Sequence, residues 1–460
     1  MRLADLTNAR VAIWGYGREG RAALGTLRRR FPGKAVTLFC SEQEAQATLS
    51  PIADDGGEGF KIVTAPPDAA TLKCFDIVIK SPGISPYKSP IPEAETAGVH
   101  FTSGSALWFT EHPEARTICV TGTKGKSTVA ALIAHLLRQG GKRVALAGNI
   151  GLPLLDLLEP AHEPDWWVIE LSSFQTRDFG GAPTIAVINN LYEEHLDWHG
   201  TRERYVDDKL AIARNAKSLV VGAQAELLAR TAAHGQRHIA GSEQGWHVRD
   251  GAIWRADVRV LALADIPLPG LHNAHNVCAA LAAVEATRAD SRTLAPHVST
   301  FRALPHRLQS LGTRDGLEYV NDSISTTPYA TIEALRSLEH RQVSVIVGGF
   351  DRGLDWNAFA QHVAKHPPHA IVATGANGER IVEALCTVES PQFTLVSAPT
   401  LDQVIATARE LTPPGGVVLL SPGAPSFDQF EDYADRGRQF ARLAGFDPAA
   451  IAQIEGLGIA

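Results

Sequence analysis

Residues 119–128 read Cys119-Val120-Thr121-Gly122-Thr123-Lys124-Gly125-Lys126-Ser127-Thr128. An apolar run, Arg116 to Val120, enters this loop of small residues, and a helical pattern from Val129 to Leu137 leaves it. Strand, glycine loop, Lys-Ser-Thr and helix is the arrangement that cradles a nucleoside triphosphate. Glycines let backbone N–H groups approach phosphate oxygens, and the lysine neutralises charge. A hydroxyl reaches Mg²⁺, and the helix N-terminus adds its dipole. The loop is shorter than G-x-x-x-x-G-K-[ST], because only Thr123 and Lys124 separate Gly122 from Gly125. A bare Gly-Lys-Ser is a common accident. The strand before it and the helix after it select phosphate binding over a plain structural turn.

The chain has 460 residues, which is too long for one core and implies two to three domains. Hydrophobic content of 45% and charged content of 20% are ordinary for a globular protein. The net charge of −7 argues against a general nucleic-acid binder. Cys40, Cys74, Cys119, Cys278 and Cys386 are scattered, without metal-ligand spacing, and read as buried thiols in a reducing compartment. No stretch reaches the ~18 apolar residues of a membrane span, and no signal-peptide core is seen. The expectation is a cytoplasmic, monomeric protein that enters no membrane and binds no nucleic acid.

Strands alternate with helical patterns almost throughout, so the predicted fold class is α/β with parallel sheets. Three blocks separate: 1–103, 104–308 and 309–460. The first opens with the apolar run Arg10–Trp14, then Gly15-Tyr16-Gly17-Arg18-Glu19-Gly20, then a helical segment to Arg30. Runs at Ala35–Cys40 and Phe75–Lys80 follow, the latter ending in Ser81-Pro82-Gly83. This is a βαβ opening of Rossmann type. The second block holds the phosphate loop, and its apolar runs end at Ala147, Ile169 and Ile188. Residues Ser218–Ile266 suggest a small antiparallel element. The third block predicts strands at Glu318–Val320, Val343–Val347, Ala370–Ala373 and Val417–Leu420. Asp447–Ala460 reads as a frayed tail.

Gly15–Gly20 fits G-x-G-x-x-G after a strand. A dinucleotide site also wants an acid at the end of the next strand, about 20 residues on. That strand ends in Cys40-Ser41, with Glu42 displaced. NAD is therefore disfavoured, while a nucleotide-sugar diphosphate suits the helix N-terminus equally well. The rival is a glycine turn that only permits close packing. Glu170 closes a predicted strand downstream of the phosphate loop, where a carboxylate can meet Mg²⁺. His195 is a candidate second ligand, with Glu193, Glu194, Asp197 and His199 as other choices. Lys209 is by default a solvated helix residue. Asn273 and Asn276 open a helix, which they can cap, or they can bond a purine edge. Asn321-Asp322-Ser323, Gly348–Arg352 and Ser421–Ser426 are turns. At the carboxyl ends of one sheet they would form a ligand-binding rim.

Taken jointly, Gly-Thr-Lys-Gly-Lys-Ser-Thr, Glu-Leu-Ser-Ser-Phe-Gln, His-Asn-x-x-Asn, Pro-His-Arg, Asn-Asp-Ser, Ser-Phe-Asp-Gln-Phe and Arg-Gly-x-x-Phe resemble the Mur ligase family along the whole chain. These are ATP-dependent amide-forming enzymes of peptidoglycan synthesis. The pattern looks most like the branch that adds glutamate to UDP-N-acetylmuramoyl-L-alanine. The resemblance implies a Rossmann-like N-terminal domain, a central ATPase-type domain with a phosphate loop, and a Rossmann-like C-terminal domain. It implies that Gly122, Thr123, Lys124, Gly125, Lys126, Ser127 and Thr128 bind ATP, with Asn273, Asn276, Arg307 and Asp322 as further nucleotide contacts. Two Mg²⁺ ions would be held by Ser127, Thr128, Glu170, His195 and a carbamylated Lys209. Lys126, His195 and Lys209 would be the catalytic residues. Gly15, Gly17, Arg18, Gly20, Ser81 and Gly83 match the uridine diphosphate pocket, and Asn149 matches a muramoyl contact.

One departure is informative. Enzymes of this branch that use D-glutamate typically read Asp-Ser-Lys-Ala-Thr, whereas here the chain reads Asp322-Ser323-Ile324-Ser325-Thr326. The glutamate-carboxylate positions fall on Thr326, Arg352, Ser426 and Tyr433. Arg352 stands where lysine is usual, and a planar fork is not a point charge. Tyr433 stands where phenylalanine is usual. The resemblance therefore points to the subfamily that adds L-glutamate, with an ordinary D-glutamate enzyme as the alternative. A folylpolyglutamate-type ligase would lack the first block, and a non-enzymatic nucleotide-binding protein would need no chemistry at Glu170, His195 and Lys209.

Overall fold

A computed structural model describes residues 1–46 and 59–460. The chain divides into two compact units. The first comprises Met1–Leu263, His275–Val298 and Gly456–Ala460, and the second Ala264–Ala274 and Ser299–Glu455. Among the described residues no helix is long and apolar enough to cross a membrane.

The first unit contains two parallel sheets. One is built from β1 (Val11–Trp14), β2 (Val36–Phe39), β3 (Phe60–Val63), β4 (Ile77–Lys80) and β5 (His100–Thr102), in the order β3-β2-β1-β4-β5. Helix α1 (Arg18–Arg30) follows β1. The order reverses between β1 and β4, so the turn at Gly15 and the Ser81–Gly83 segment leave adjacent strand ends. Such a switch point is where open α/β sheets gather ligands.

The other sheet centres on β6 (Thr117–Thr121), flanked by β8 (Trp166–Glu170) and β9 (Ile185–Ile188). Beyond these lie β7 (Val144–Gly148), β10 (Ser218–Gly222) and β11 (Arg237–Ala240). Every residue of β6, β7, β8 and β9 is buried, as expected of parallel strands covered on both faces. Helix α2 (Lys126–Gln139) leaves the phosphate loop and buries Val129, Leu132, Ile133, Leu136 and Leu137. The short helices α3 (Ser173–Arg177) and α4 (Leu196–His199) and the longer α5 (Arg202–Leu210) complete the site's supports. A final strand, Gly458–Ile459, pairs antiparallel with β7. The last residues thus return to the central sheet rather than fraying, because their backbone groups complete its edge. The antiparallel element expected after Ser218 is confined to β12 (Trp246–Arg249), β13 (Ala252–Arg255) and β14 (Val258–Ala262).

The second unit is built on a sheet of β15 (Gln309–Arg314), β16 (Leu317–Asn321), β17 (Val343–Gly348), β18 (Ala370–Thr374), β19 (Thr394–Ser397) and β20 (Val417–Leu420). Its order is β15-β16-β20-β17-β18-β19. Strands β16, β20 and β17 are adjacent and parallel. The three expected turns, at 322–323, 349–352 and 421–426, therefore do leave the carboxyl ends of neighbouring strands. The cysteines depart from expectation. Cys40, Cys119 and Cys278 are buried, but Cys74 and Cys386 are exposed, since each sits just past a helix on its solvent side.

Candidate active site

The phosphate loop is held open by two glycines with positive φ, Gly122 at 148° and Gly125 at 79°. Gly125 caps α2, and a Cβ there would lie 2.3 Å from Asn276 Oδ1. Around it, Asn189 Nδ2 donates to the Lys124 carbonyl at 3.0 Å and to Asn276 Oδ1 at 2.8 Å. Asn190 Oδ1 accepts from the Lys124 N–H at 2.8 Å. Asn276 is thus seated against the phosphate loop. Lys126 Nζ donates to the Thr123 carbonyl at 2.9 Å, and Lys124 Nζ pairs with Glu194 Oε1 at 2.8 Å. Ser127 is buried in the first turn of α2, beside Thr128.

Glu170 ends β8, with only 1% of its surface exposed. Its Oε1 accepts from Asn149 Nδ2 at 3.0 Å, and its Oε2 is buried without a hydrogen-bond partner. A buried anionic oxygen left unmatched is costly, so its position fits a hard cation. Among the described residues no three His, Cys, Asp or Glu side chains gather into a preformed cage. A metal here would complete its shell with hydroxyl, phosphate and other oxygens. Lys209 lies on α5, 2% exposed, and its Nζ donates to the Gly122 carbonyl at 2.8 Å. Burial, and then the nearby Lys126 charge, push its ammonium well below the ordinary lysine range. His195 adopts φ 57° at the N-cap of α4, with its ring 5.0 Å from that of Phe174. Of the rival ligands, His199 is fully buried between Asp208 and Ser173 and is spoken for.

At the first sheet, Gly15 has φ 91°, and a Cβ there would lie 2.6 Å from Ser81 Oγ. A Cβ on Gly20 would lie 2.0 Å from the Gly15 carbonyl oxygen. The motif therefore does serve close packing, while Gly17 and Arg18 stay exposed at the start of α1. Ser81 Oγ is buried and lacks a partner, and Gly83 is exposed. The acid beside the turn is Glu44, not Glu42: its Oε1 accepts from the Tyr16 N–H at 3.2 Å. Deeper in the unit, Gln175 Nε2 donates to Glu19 Oε1 at 3.1 Å, and burial pushes the Glu19 carboxyl up to about 7.

In the second unit, Asn273 Nδ2 donates to the Pro269 carbonyl at 2.7 Å and so braces the turn before α6 (Leu271–Ala286). Asp322 accepts from the Leu308 N–H at 3.1 Å and from Ser421 Oγ at 2.8 Å. Burial pushes its carboxyl up to about 7. Arg307 is half-buried beside it in sequence to Leu308. Thr326 is half-buried, Ser426 is buried, and Arg352 and Tyr433 are exposed.

Arg436 was not singled out from sequence as a site residue. It is 2% exposed and lies on α7 (Tyr433–Leu443). Its guanidinium donates to Ser323 Oγ, to the Ser323 carbonyl and to the Ala424 and Pro425 carbonyls, at 2.9–3.2 Å. One side chain thus ties the turn after β16 to the turn after β20. The only sequence signal was its place in Arg-Gly-x-x-Phe. Gly437 beside it is required, since a Cβ there would lie 2.2 Å from His306 Nδ1.

The Mur ligase middle domain profile matches residues 120–284, and the Mur ligase glutamate ligase domain profile matches residues 306–423. A UDP-N-acetylmuramoyl-L-alanine–L-glutamate ligase of Xanthomonas axonopodis pv. citri is 48% identical over 100% of both chains. The chain belongs to the Mur ligase family. A Micromonospora protein with the same printed activity is 38% identical, over 96% of this chain and 97% of that one. Among solved structures, the UDP-N-acetylmuramate–alanine ligase MurC of Thermotoga maritima superposes with a TM-score of 0.60 at 20% identity. It covers 95% of this chain and 99% of that one. The fold is thus the three-domain α/β fold of Mur ligases, and the protein is an ATP-dependent, amide-forming ligase.

Proposed function

We propose that this Mur ligase adds L-glutamate to UDP-N-acetylmuramoyl-L-alanine during assembly of peptidoglycan precursors. The observation that carries this reading is the end-to-end 48% identity with ligases named for that reaction. The residues of the rebuilt turn support it. Ile324 offers no cation, Arg352 offers a fork where a point charge is usual, and Tyr433 adds a hydroxyl. Thr326 and Ser426 keep the chemistry of D-glutamate enzymes, and that enantiomer is the second reading.

Residues 1–103 would hold the uridine diphosphate, 104–308 the ATP, and 309–460 the amino acid. Gly122–Thr128 would cradle the phosphates, with Lys126 offsetting their charge. Asn273, Asn276, Arg307 and Asp322 would complete the nucleotide site. Gly15, Gly17, Arg18, Gly20, Ser81 and Gly83 would face the uridine diphosphate, and Asn149 the muramoyl group. Glu170, His195, Ser127, Thr128 and a carbamylated Lys209 would hold Mg²⁺, which supplies charge neutralisation on the transferring phosphoryl group. A buried lysine pushed toward the neutral amine is suited to carbamylation. The lone pair of the neutral amine would add to CO₂ and one proton would leave, so that a neutral amine becomes an anionic carbamate able to serve as an oxygen ligand.

The reaction proceeds in two displacements. The alanine carboxylate attacks the γ-phosphorus of ATP, the bond to the β-phosphate oxygen breaks, and an acyl phosphate forms. The glutamate amine then attacks the acyl carbon, inorganic phosphate leaves and the amine loses a proton. Holding the reactants in a near-attack geometry supplies much of the rate. The test is phosphate release with the muramoyl substrate and either enantiomer of glutamate, side by side. L-Glutamate should be turned over faster. A wide preference for D-glutamate would overturn the stereochemical reading, and no release with either would overturn the substrate assignment.

A further inference from the structure

Four side chains outside the proposed ligand set form one chain of hydrogen bonds. Tyr87 Oη donates to the Asp208 carboxylate, 2.8 and 2.9 Å from its two oxygens. Asp208 Oδ2 lies 2.7 Å from His199 Nδ1, and His199 Nε2 lies 3.0 Å from Ser173 Oγ. His199 has no exposed surface, and Asp208 and Ser173 are buried. Both ring nitrogens of His199 therefore have partners, as a buried imidazole requires.

Each buried member lies on, or just after, an element that presents an expected metal ligand. Ser173 opens α3, directly after the strand that ends in Glu170. His199 closes α4, whose N-cap is His195. Asp208 precedes Lys209 on α5. Tyr205, Asp208 and Lys209 are spaced three and four residues apart and share one helix face. On that face, Tyr205 Oη lies 2.6 Å from Thr123 Oγ1, and Lys209 Nζ reaches Gly122. Tyr87, by contrast, sits in the segment after Ser81–Gly83. The same segment also grips α4 twice: Trp198 Nε1 donates to the Gly83 carbonyl at 3.0 Å, and Ser85 Oγ donates to the Trp198 carbonyl at 2.5 Å.

Apolar packing could fill this volume, but it would not fix the rotation of α4 and α5 against α3. A fully satisfied polar network does, because each bond is directional and its loss strands a buried group. We propose that His199 and Asp208 are positioning residues that hold Glu170, His195 and Lys209 in mutual register. Tyr87 couples that register to the segment carrying the uridine diphosphate site. This rests on the ligase reading above.

The test uses the full chain with Tyr87→Phe, Asp208→Asn and the double variant. Tyr87→Phe keeps the ring and so keeps the fold. Calorimetry gives the affinity for a magnesium–non-hydrolysable ATP analogue without the uridine substrate, and steady-state rates give kcat and each KM. Asp208→Asn should weaken nucleotide binding about tenfold, the scale of losing a group that orients metal ligands. Tyr87→Phe should leave that affinity unchanged and lower kcat about fivefold, with the glutamate KM constant, as the loss of one coupling contact. The double variant should match Asp208→Asn alone in kcat rather than multiply the two losses. Wild-type affinity and kcat in both single variants, or a change in melting temperature alone, would overturn the proposal. Independent multiplication of the two losses would also overturn it. An inactive wild-type enzyme would instead defeat the ligase reading, and nucleotide affinity would still decide the positioning role.

Discussion

The side-chain nitrogen of Lys209 donates to the carbonyl oxygen of Gly122 at 2.8 Å, inside the protein and away from water. A helix from 80 residues downstream is thereby fastened to the first glycine of the phosphate loop. If Lys209 is carbamylated in the working enzyme, this contact describes the amine before it reacts. Lys209→Ala should then lower phosphate release by about 100-fold, the upper range for groups that organise a metal shell. Wild-type activity should also fall in CO₂-depleted buffer and return with bicarbonate. A rate indifferent to bicarbonate would show that the amine itself is the working form.

Gly125 makes a second, purely steric prediction. Its φ of 79° is left-handed, and a Cβ would meet both Asn276 Oδ1 and Asn189 Nδ2 inside 3 Å. Gly125→Ala should cost more than about 2 kcal/mol, from the left-handed backbone and the clash together. A thermal melt checks this. An unchanged melting temperature would mean that the loop relaxes freely and that Asn189 and Asn276 do not define it.

Much of this was legible in sequence, and the reasons are local. Gly122 and Gly125 announce themselves because only glycine takes their φ angles, and β6 and α2 follow from unbroken apolar patterning. Glu170 stood out because it closes a strand downstream of the phosphate loop; a strand-end carboxylate by itself would read as solvated. Lys209 was marked only by the family resemblance and not by its own pattern, since Tyr205–Ala216 reads as an ordinary helix and the burial of its lysine depends on the phosphate loop. Arg436 was hidden for the same reason, because the four hydrogen bonds that it donates run to residues 11 to 113 positions away. The return of Gly458–Ile459 to β7 was equally invisible, since two residues carry no periodicity.

Asp322 and His306 predict a pH signature in the second unit. The Asp322 carboxyl is raised to about 7 by burial, so the folded state holds a proton the unfolded state has lost. Its stabilising effect is complete below the ordinary aspartate range and disappears as pH rises through about 7. The His306 imidazole is lowered to about 4, chiefly by burial, so its effect runs the other way. That contribution is present above the ordinary histidine value and is lost as pH falls through about 4. The two oppose each other between these limits. Asp322→Asn should remove the first alone, so the difference in melting temperature between variant and wild type should shift in the variant's favour from pH 5 to pH 8. A difference that does not vary with pH would show that Asp322 ionises normally.

Arg436 should not be replaceable by lysine. Its donors reach Ser323, Ala424 and Pro425 together, and burial already lowers its pKa to about 10. A lysine is a point charge with no planar fork, so Arg436→Lys leaves buried carbonyls unmatched at roughly 1–3 kcal/mol each. Because the stranded groups lie in the turns after β16 and β20, the glutamate KM should rise more than the KM of the uridine substrate. Equal changes in both would argue that Arg436 supports the unit as a whole.

The stereochemical reading turns on Ile324. Its N–H donates to the His306 carbonyl at 3.2 Å, which fixes the backbone of the turn whatever side chain it carries. Its side chain is half-buried and offers nothing to a carboxylate. Ile324→Lys would therefore add a cation to an unaltered turn and recreate the charge that D-glutamate enzymes of this branch place there. The ratio of kcat/KM for D- over L-glutamate should rise about tenfold, a shift of roughly 1.4 kcal/mol in relative transition-state binding. Combining it with Arg352→Lys should move the ratio further, because each change restores one point charge on the same rim. If the single variant lost activity with both enantiomers in proportion, Ile324 would matter to the shape of the turn and not to the choice of hand.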